Sequence, residues 1–319
     1  MKILVTGATG FIGTRLSETL TNSGHEVRNT ARSLAHNNST TREVITCDLE
    51  SADNLDHLTT GCDAIVHLAG RAHVMSDNPA TSESLYLSAN VAVTRRLAQS
   101  ASRTGVKRMI LMSSVKVNGE STTIGSPFTS LDTPIPKDPY GRSKTQAEQA
   151  LWDVTSTSGL EGVVIRPPLV YGPGVRANFA SLIGIINGGI PLPLGSIHNQ
   201  RSFVSIYNLV DCIATVLQSS NAAGQTFLVS DGHDLSTPEL IRSIASALHK
   251  SPMLFSFPPA LLKLAATTAG KRGTYDRLCG SLTVDIALTK QKLSWTPPFT
   301  VQYSMQRTVD AFIQSRDSR

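Results

Sequence analysis

The feature that most constrains the fold is a glycine-rich turn at the start of the chain. An apolar stretch of strand length, residues 1–6, leads into three glycines spaced three apart, Gly7, Gly10 and Gly13, and the apolar residues that follow have helical spacing. The order strand, tight turn and helix lets a phosphate approach the backbone at the amino end of the helix, where N–H groups and a partial positive charge are available. The motif therefore predicts a turn that binds the pyrophosphate of a dinucleotide.

Strands and helices alternate through the first half of the chain. Further strands are predicted at residues 24–32, 44–47, 63–68, 107–112 and 162–165, and helices at residues 14–22, 82–104 and 145–156. This alternation predicts an α/β fold: a doubly wound parallel sheet of the Rossmann type, covered by helices on both faces, with ligands above the carboxyl ends of its strands.

Proline and glycine become frequent beyond Pro167, which marks the start of a second unit. We predict a dinucleotide-binding Rossmann domain with the catalytic residues over residues 1–166, and a smaller C-terminal α+β substrate lobe over residues 167–319, from which the chain is free to re-enter the first domain. In the second unit the apolar residues 260–268 predict a packed helix, with attachment to a membrane surface as the alternative.

Composition argues against several classes of partner. The net charge is +5, but the lysines and arginines are scattered and aromatic residues make up only 5% of the chain, which disfavours a nucleic-acid-binding surface. The four cysteines have no paired spacing, so neither a metal site nor a redox motif is predicted. The first residues predict a strand rather than a leader peptide, and apolar stretches are interrupted, which predicts a cytoplasmic protein without an integral membrane segment.

The end of the second predicted strand bears on the choice of cofactor. In dinucleotide-binding folds an acidic residue at this point accepts hydrogen bonds from the adenosine ribose and repels a 2′-phosphate. This chain has Arg32 there instead. Pairing of Arg32 with a 2′-phosphate would favour NADP(H) over NAD(H). If Arg32 is only a solvated surface residue, either cofactor is possible.

A serine, a tyrosine and a lysine have the order and spacing of a proton-transfer site. Ser114 follows the predicted strand at 107–112, and Tyr140 precedes Lys144 by four residues, which places both on one face of a helix. An ammonium beside a phenol lowers the phenol pKa, so that Tyr140 can exchange a proton with an alcohol or ketone while a nicotinamide exchanges hydride. Ser114 would hold the reacting oxygen.

Together these motifs resemble the extended short-chain dehydrogenase/reductase family, and in particular its nucleotide-sugar epimerases, dehydratases and reductases. The matching segments, in the family's order, are residues 7–13 (GATGFIG), 67–70 (HLAG), 113–114 (SS) and 138–144 (DPYGRSK). The resemblance covers the whole chain. It implies that Tyr140 is the acid/base, that Lys144 supports it and binds the cofactor ribose, and that Ser114 contacts the substrate oxygen.

The resemblance also implies which residues bind cofactor and substrate. With Arg32 included, the expected cofactor-binding residues are Gly7, Gly10, Phe11, Ile12, Gly13, Arg32, Asp48, Leu49, Ala69, Gly70, Tyr140 and Lys144. The expected substrate-binding residues are His73, Ser114, Lys116, Asn178, Arg201 and Arg277. The two arginines suit a nucleotide-sugar diphosphate, although each also fits an ordinary surface position. Asn90 is expected near the active site, and the family implies a homodimer.

Departures from the family pattern leave the reaction open. Asn118 stands where epimerases usually carry tyrosine, and residues 167–169 replace a common Phe-Asn. The chain is similar to a bacterial surface-polysaccharide subgroup that includes reductases forming UDP-N-acetylquinovosamine. We therefore expect reduction of the C4 ketone of a UDP-4-keto-6-deoxy-N-acetylhexosamine in lipopolysaccharide biosynthesis. A UDP-hexose 4-epimerase acting on UDP-glucose or UDP-N-acetylglucosamine is the alternative, and a non-catalytic dinucleotide sensor is the third hypothesis.

Overall fold

A seven-stranded parallel sheet forms the centre of the molecule in the computed structural model, which describes residues 1–32, 44–71 and 79–317, without the side chains of residues 79–82 and 317. The strands along the chain are β1 (Lys2–Thr6), β2 (Glu26–Ala31), β3 (Val44–Thr46), β4 (Ala64–His67), β5 (Arg108–Met112), β6 (Glu161–Arg166), β7 (Leu169–Tyr171), β8 (Phe203–Ser205) and β9 (Thr226–Leu228). The sheet has the order β3-β2-β1-β4-β5-β6-β9, while β7 and β8 form a separate parallel pair.

Helices cover both faces of this sheet and build most of the second lobe. They are α1 (Phe11–Asn22), α2 (Asp56–Thr59), α3 (Pro79–Tyr86), α4 (Val93–Arg103), α5 (Pro139–Thr155), α6 (Ala177–Asn187), α7 (Ile206–Gln218), α8 (Thr237–Ala247), α9 (Pro259–Thr268), α10 (Arg272–Cys279), α11 (Ala287–Leu293) and α12 (Val301–Asp317). The helix predicted over 82–104 is divided, because a π-helical turn, Leu87–Ala92, joins α3 to α4.

Alternation of side chains along the strands separates two apolar cores. Ile3 and Val5 of β1 point into the core that contains α1 and α7, whereas Leu4 between them points into the core that contains α4 and α5. A third core lies in the second lobe between α6, α8 and α12. The predicted doubly wound parallel sheet with a smaller second lobe is thereby confirmed.

Helix α5 begins earlier than its apolar periodicity predicts. Asp138 caps it, accepting a hydrogen bond from the Gly141 N–H at 2.6 Å, and Pro139 occupies the first helical position. The helix therefore starts at Pro139 rather than at residue 145, and Tyr140 lies in its first turn.

The chain returns to the sheet after it has entered the second lobe. Strand β9 pairs in parallel with β6 at the edge of the sheet, with Ile165 opposite Phe227, and α7 packs in the same core as α1. Strand β9 thus extends the sheet that the earlier strands form, whereas the division of the chain into two domains at residue 166 stays a prediction.

Helix α9 forms close to its predicted position but contacts the core of the second lobe only through the partly buried Leu262. Both α9 and α10 lie wholly within the described residues, and neither has a buried residue. In the described parts of the chain no helix has the length and apolar character needed to cross a membrane.

Candidate active site

The glycine turn between β1 and α1 is set by close contacts between backbone atoms. Gly7 has a positive φ of 69°, which favours glycine, and a Cβ on Gly13 would lie 2.2 Å from the Gly7 carbonyl oxygen. Gly10 caps α1 without a side chain, and its N–H donates to the Gly7 carbonyl at 3.0 Å. The turn thus leaves the amino end of α1 open to an anion.

A cavity of about 260 Å³ lies beside this turn, above the carboxyl ends of β1, β2 and β4. Of the predicted cofactor-binding residues, it is lined by Gly7, Gly10, Arg32, Asp48, Leu49, Ala69 and Gly70. It has the open glycine surface and polar rim that a dinucleotide requires, so these residues fit the predicted group.

Three predicted cofactor residues lie on the helix side of the turn. Ile12 packs against the core and Gly13 is buried against the turn, while Phe11 lines a different cleft of about 820 Å³ near α7 and α12. The structure places Gly13 where it allows the turn to close, and it does not bring Phe11 to the 260 Å³ cavity.

Asn90 fixes the turn that follows β4. Its Oδ1 accepts a hydrogen bond from the Arg71 N–H at 2.8 Å, and its Nδ2 donates to the Arg71 carbonyl at 3.2 Å and to the Ser143 hydroxyl at 2.9 Å. A Cβ on Gly70 would lie 2.7 Å from Asn90 Oδ1 and 3.3 Å from Lys144 Nζ. The π-helical turn that carries Asn90 therefore joins the cofactor cavity to the catalytic helix.

The structure brings Ser114, Tyr140 and Lys144 together at the carboxyl end of β5. The Ser114 hydroxyl is hydrogen-bonded to the Tyr140 phenol, and Lys144 is buried with its Nζ donating to the Met112 carbonyl at 3.0 Å. Burial lowers the pKa of Lys144 to about 8, although the negative charge of Glu148 opposes that effect.

The phenol pKa differs from the sequence-based expectation. Burial raises the pKa of Tyr140 to about 12, and the charges of Asp138 and Tyr86 add to this, while the hydrogen bond from Ser114 lowers it. The expectation that the Lys144 ammonium lowers the phenol pKa is wrong, because this ammonium binds the Met112 carbonyl and burial of the phenol outweighs the effect of the Ser114 hydroxyl.

A buried polar network behind the catalytic residues was not predicted. Glu148 accepts two hydrogen bonds from Arg166, at 2.9 and 2.6 Å, and one from the Ser113 hydroxyl. Arg166 also donates to Asn118 Oδ1 at 3.0 Å, and Asn118 donates to the Thr129 carbonyl at 2.8 Å. Glu148 follows Lys144 by four residues, a helical spacing that would have identified it.

Lys116 is held by acidic neighbours near the start of α5. Its Nζ forms an ion pair with Asp138, the residue that caps the helix, and another with Glu120 at 3.4 Å. Lys116 lies two residues after Ser114, and its ion pair with Asp138 steadies the turn that carries Ser114. A direct contact between Lys116 and a sugar remains a prediction.

The structure brings together only some of the predicted substrate residues. Arg201 is half-buried and donates to the Gly280 carbonyl at 2.9 Å, directly after α10, while Arg277 on α10 is exposed. Burial lowers the pKa of Arg201. Asn178 is exposed in the first turn of α6, and His73 lies outside the described residues.

The parallel sheet, the glycine turn and the Ser–Tyr–Lys group define a nicotinamide-dependent enzyme of the short-chain dehydrogenase/reductase class. A family model described as "NAD dependent epimerase/dehydratase family" matches residues 3–230. The chain belongs to this family, which confirms the resemblance and the expectation of a nicotinamide dinucleotide cofactor.

Individual relatives cover nearly the whole chain. A UDP-glucose 4-epimerase of Vibrio cholerae is 45% identical over 99% of this chain and 96% of its own length. An N-acetyl-alpha-D-glucosaminyl-diphospho-ditrans,octacis-undecaprenol 4-epimerase of Escherichia coli O157:H7 is 27% identical, over 96% of this chain and 94% of its own. Among solved structures, MoeE5 in complex with UDP-glucuronic acid and NAD is 25% identical and has a TM-score of 0.79, covering 99% of this chain and 100% of that chain.

Proposed function

We propose that the protein is an NAD-dependent 4-epimerase of a UDP-hexose, either UDP-glucose or UDP-N-acetylglucosamine. The observation that carries this proposal is the Ser114–Tyr140–Lys144 group, in which Lys144 is buried, in a chain 45% identical to a UDP-glucose 4-epimerase along almost its full length. Both the Vibrio and the Escherichia relatives are named as 4-epimerases of diphosphate-linked sugars, which favours this reaction over the reduction expected from the sequence.

The three residues have distinct roles in this proposal. Tyr140 takes the proton of the 4-hydroxyl and returns it after the sugar has turned, while Ser114 holds the same oxygen. A nicotinamide bound in the cavity would supply the exchange of hydride at C4. Lys144, one helical turn further along α5, holds the ribose of the cofactor in this proposal.

The second lobe supplies the proposed diphosphate contacts. Two guanidinium groups, Arg201 and Arg277, suit two phosphates, and Asn178 supplies an amide at the amino end of α6. His73 and Lys116 are the proposed sugar-side residues. We also propose a cytoplasmic homodimer, because the family resemblance implies a dimer and UDP-sugars are cytoplasmic substrates.

A 4-keto reductase that uses NADPH is the second candidate. Arg32 lines the cofactor cavity at the end of β2, where an acidic residue would favour NAD and a cation would favour the 2′-phosphate of NADP. A reductase consumes reduced cofactor in each turnover, whereas an epimerase regenerates NAD, so cofactor balance separates the two reactions.

The decisive experiment follows sugar and cofactor together. Purified protein is incubated with NAD and either UDP-glucose or UDP-N-acetylglucosamine, and in parallel with NADPH and a UDP-4-keto-6-deoxy-N-acetylhexosamine. We expect interconversion of the 4-hydroxy sugars without net change in nicotinamide absorbance. Stoichiometric loss of NADPH with the keto sugar, and no interconversion, would establish the reductase instead.

Replacing the phenol hydroxyl tests the assigned acid/base. We expect Tyr140→Phe to lower kcat by about 10²- to 10⁴-fold, because the proton-transfer group is lost. Tyr303→Phe, at an exposed tyrosine, serves as the matched control and should turn over like the parent. Fluorescence titration with NADH reports cofactor binding, which Tyr140→Phe should retain; unchanged turnover in this variant would contradict the assignment.

A further inference from the structure

The outer edge of the second lobe carries an unusual exposed apolar surface. We call residues 251–279 the outer hairpin; it contains an extended segment followed by α9 and α10. Four of its large apolar side chains are about half exposed: Met253 (56%), Phe255 (47%), Leu261 (53%) and Leu264 (61%). Met253 and Phe255 share one side of the extended segment, and Leu261 and Leu264 share one side of α9. Exposed side chains of this size cost free energy in water, so these two pairs indicate a binding partner.

Backbone hydrogen bonds attach the extended segment of the outer hairpin to the second lobe. The Leu192 N–H donates to the Met253 carbonyl at 2.7 Å, and the Gly195 N–H donates to the Phe255 carbonyl at 2.9 Å. Leu262 packs against the core of the second lobe, which turns its neighbours Leu261 and Leu264 outward. The Tyr275 hydroxyl donates to the Pro259 carbonyl at 3.2 Å and so ties α10 to α9.

The charges of the outer hairpin complement an anionic surface. Its sequence contains four cations, Lys263, Lys271, Arg272 and Arg277, and one carboxylate, Asp276. All five residues are exposed, and Asp276 lies 3.8 Å from Arg272. Apolar side chains flanked by lysine and arginine are the combination that binds the headgroup region of an anionic bilayer.

We propose that the outer hairpin docks the protein on the surface of an anionic membrane. The apolar side chains of the extended segment and α9 enter the boundary between headgroups and acyl chains, and Lys263, Lys271 and Arg272 face the lipid phosphates, whereas Arg277 stays assigned to the substrate. The docking surface is distinct from the catalytic group on α5. It lies next to the second-lobe substrate residues, since α10 ends beside Gly280, whose carbonyl accepts the Arg201 hydrogen bond.

Vesicle flotation tests the proposal without using the enzymatic reaction. The full chain is mixed with vesicles of phosphatidylcholine, with or without about one-third phosphatidylglycerol, and centrifuged through a density gradient. We expect the protein to float with the anionic vesicles, to float less with the neutral ones, and to be released as salt screens the cations. The double substitution Leu261→Ser/Leu264→Ser should weaken partitioning at least about tenfold.

A matched control separates this surface from general hydrophobicity. Leu131→Ser changes an even more exposed leucine, at 86%, outside the outer hairpin, and it should float like the parent protein. Failure of the parent to float, or equal loss in Leu131→Ser and the double variant, would overturn the proposal. Light scattering tests whether a second copy of the chain binds the outer hairpin instead of a membrane. A change from dimer to monomer in the double variant would show such an interface and would also overturn the proposal. Because flotation is read without turnover, its failure leaves the proposed epimerase unaffected.

Discussion

At the scale of single residues, Lys144 is subject to two opposing effects. Burial lowers its pKa to about 8, and the buried carboxylate of Glu148, one helical turn away, favours the ammonium. Tyr140, Lys144 and Glu148 follow one another at intervals of four residues on α5 and therefore share a face of that helix. The charge of Lys144 thus depends on a residue that does not line the cofactor cavity.

Glu148 is also one half of a buried ion pair, which makes its removal costly. Glu148→Ala would leave Arg166, whose side chain is 6% exposed, without its carboxylate partner. We expect the free energy of unfolding to fall by about 3–5 kcal/mol, measured by urea denaturation.

Glu161→Ala is the matched control for that substitution. Glu161 pairs with Arg108 but is 28% exposed, and Arg108 would keep hydrogen bonds to the carbonyls of Val216 and Leu217. We expect a loss of about 1 kcal/mol there. Equal losses in the two variants would show that the buried network around Glu148 contributes no special stability.

At the scale of secondary-structure elements, the turn before α1 depends on two glycines in contact. We expect Gly13→Ala to lower the free energy of unfolding by about 1–3 kcal/mol, because its Cβ would lie 2.2 Å from the Gly7 carbonyl oxygen. Alanine is otherwise the better helix former, so a loss can be assigned to this clash. Thermal and urea unfolding provide the measurement.

Gly159→Ala gives the corresponding control in a position without neighbours. An added Cβ at Gly159 would meet nothing within 4 Å, so the free energy of unfolding should change by no more than about 0.5 kcal/mol. A stable Gly13→Ala protein would mean that the turn can relax by moving the backbone of α1 away from Gly7.

Elements with strong local signals were predictable from the sequence. The glycine turn and the Tyr140–Lys144 spacing are contained in short segments, and the structure brings Ser114 to Tyr140 as expected. Arg166 was missed because its partner Glu148 comes from α5, a contact that exists only after β6 has paired with β5. Helix α9 was assigned to a packed position because apolar content alone does not reveal whether a surface is covered.

At the scale of the whole molecule, His67 links stability to pH. It is buried at the end of β4, its Nδ1 lies 2.7 Å from the Thr6 hydroxyl oxygen, and its Nε2 has no hydrogen-bond partner within the described residues. Burial, reinforced by the charge of Lys144, lowers the pKa of His67 to about 3. The folded protein therefore keeps this ring neutral at a pH where the unfolded chain takes up a proton.

The sign of the pH dependence follows from that difference. Above pH ~6.5, the usual histidine pKa, the contribution of His67 to stability is fully present, and it is lost as the pH falls toward 3. We expect a loss of about 2 kcal/mol by pH 5, measured as the free energy of unfolding in urea at several pH values.

Substitutions at two histidines test the assignment. His67→Asn removes the titrating ring while its amide can still meet the Thr6 hydroxyl, so the stability curve should become flatter between pH 6.5 and 5. His57→Asn, at an exposed histidine, should leave the slope as it is in the parent. A slope unchanged by His67→Asn would assign the acid sensitivity to other groups.

The return of the chain to the sheet through β9 constrains how such a protein can change its specificity. A homologous segment exchanged from residue 167 onward would carry with it α7 and β9, which fill the core beside α1 and complete the sheet edge at β6. The imported segment would have to fit the old sheet as well as a new substrate. New specificity in this architecture is therefore more readily acquired by local changes in the segments around α6 and α10 than by recombination of whole lobes.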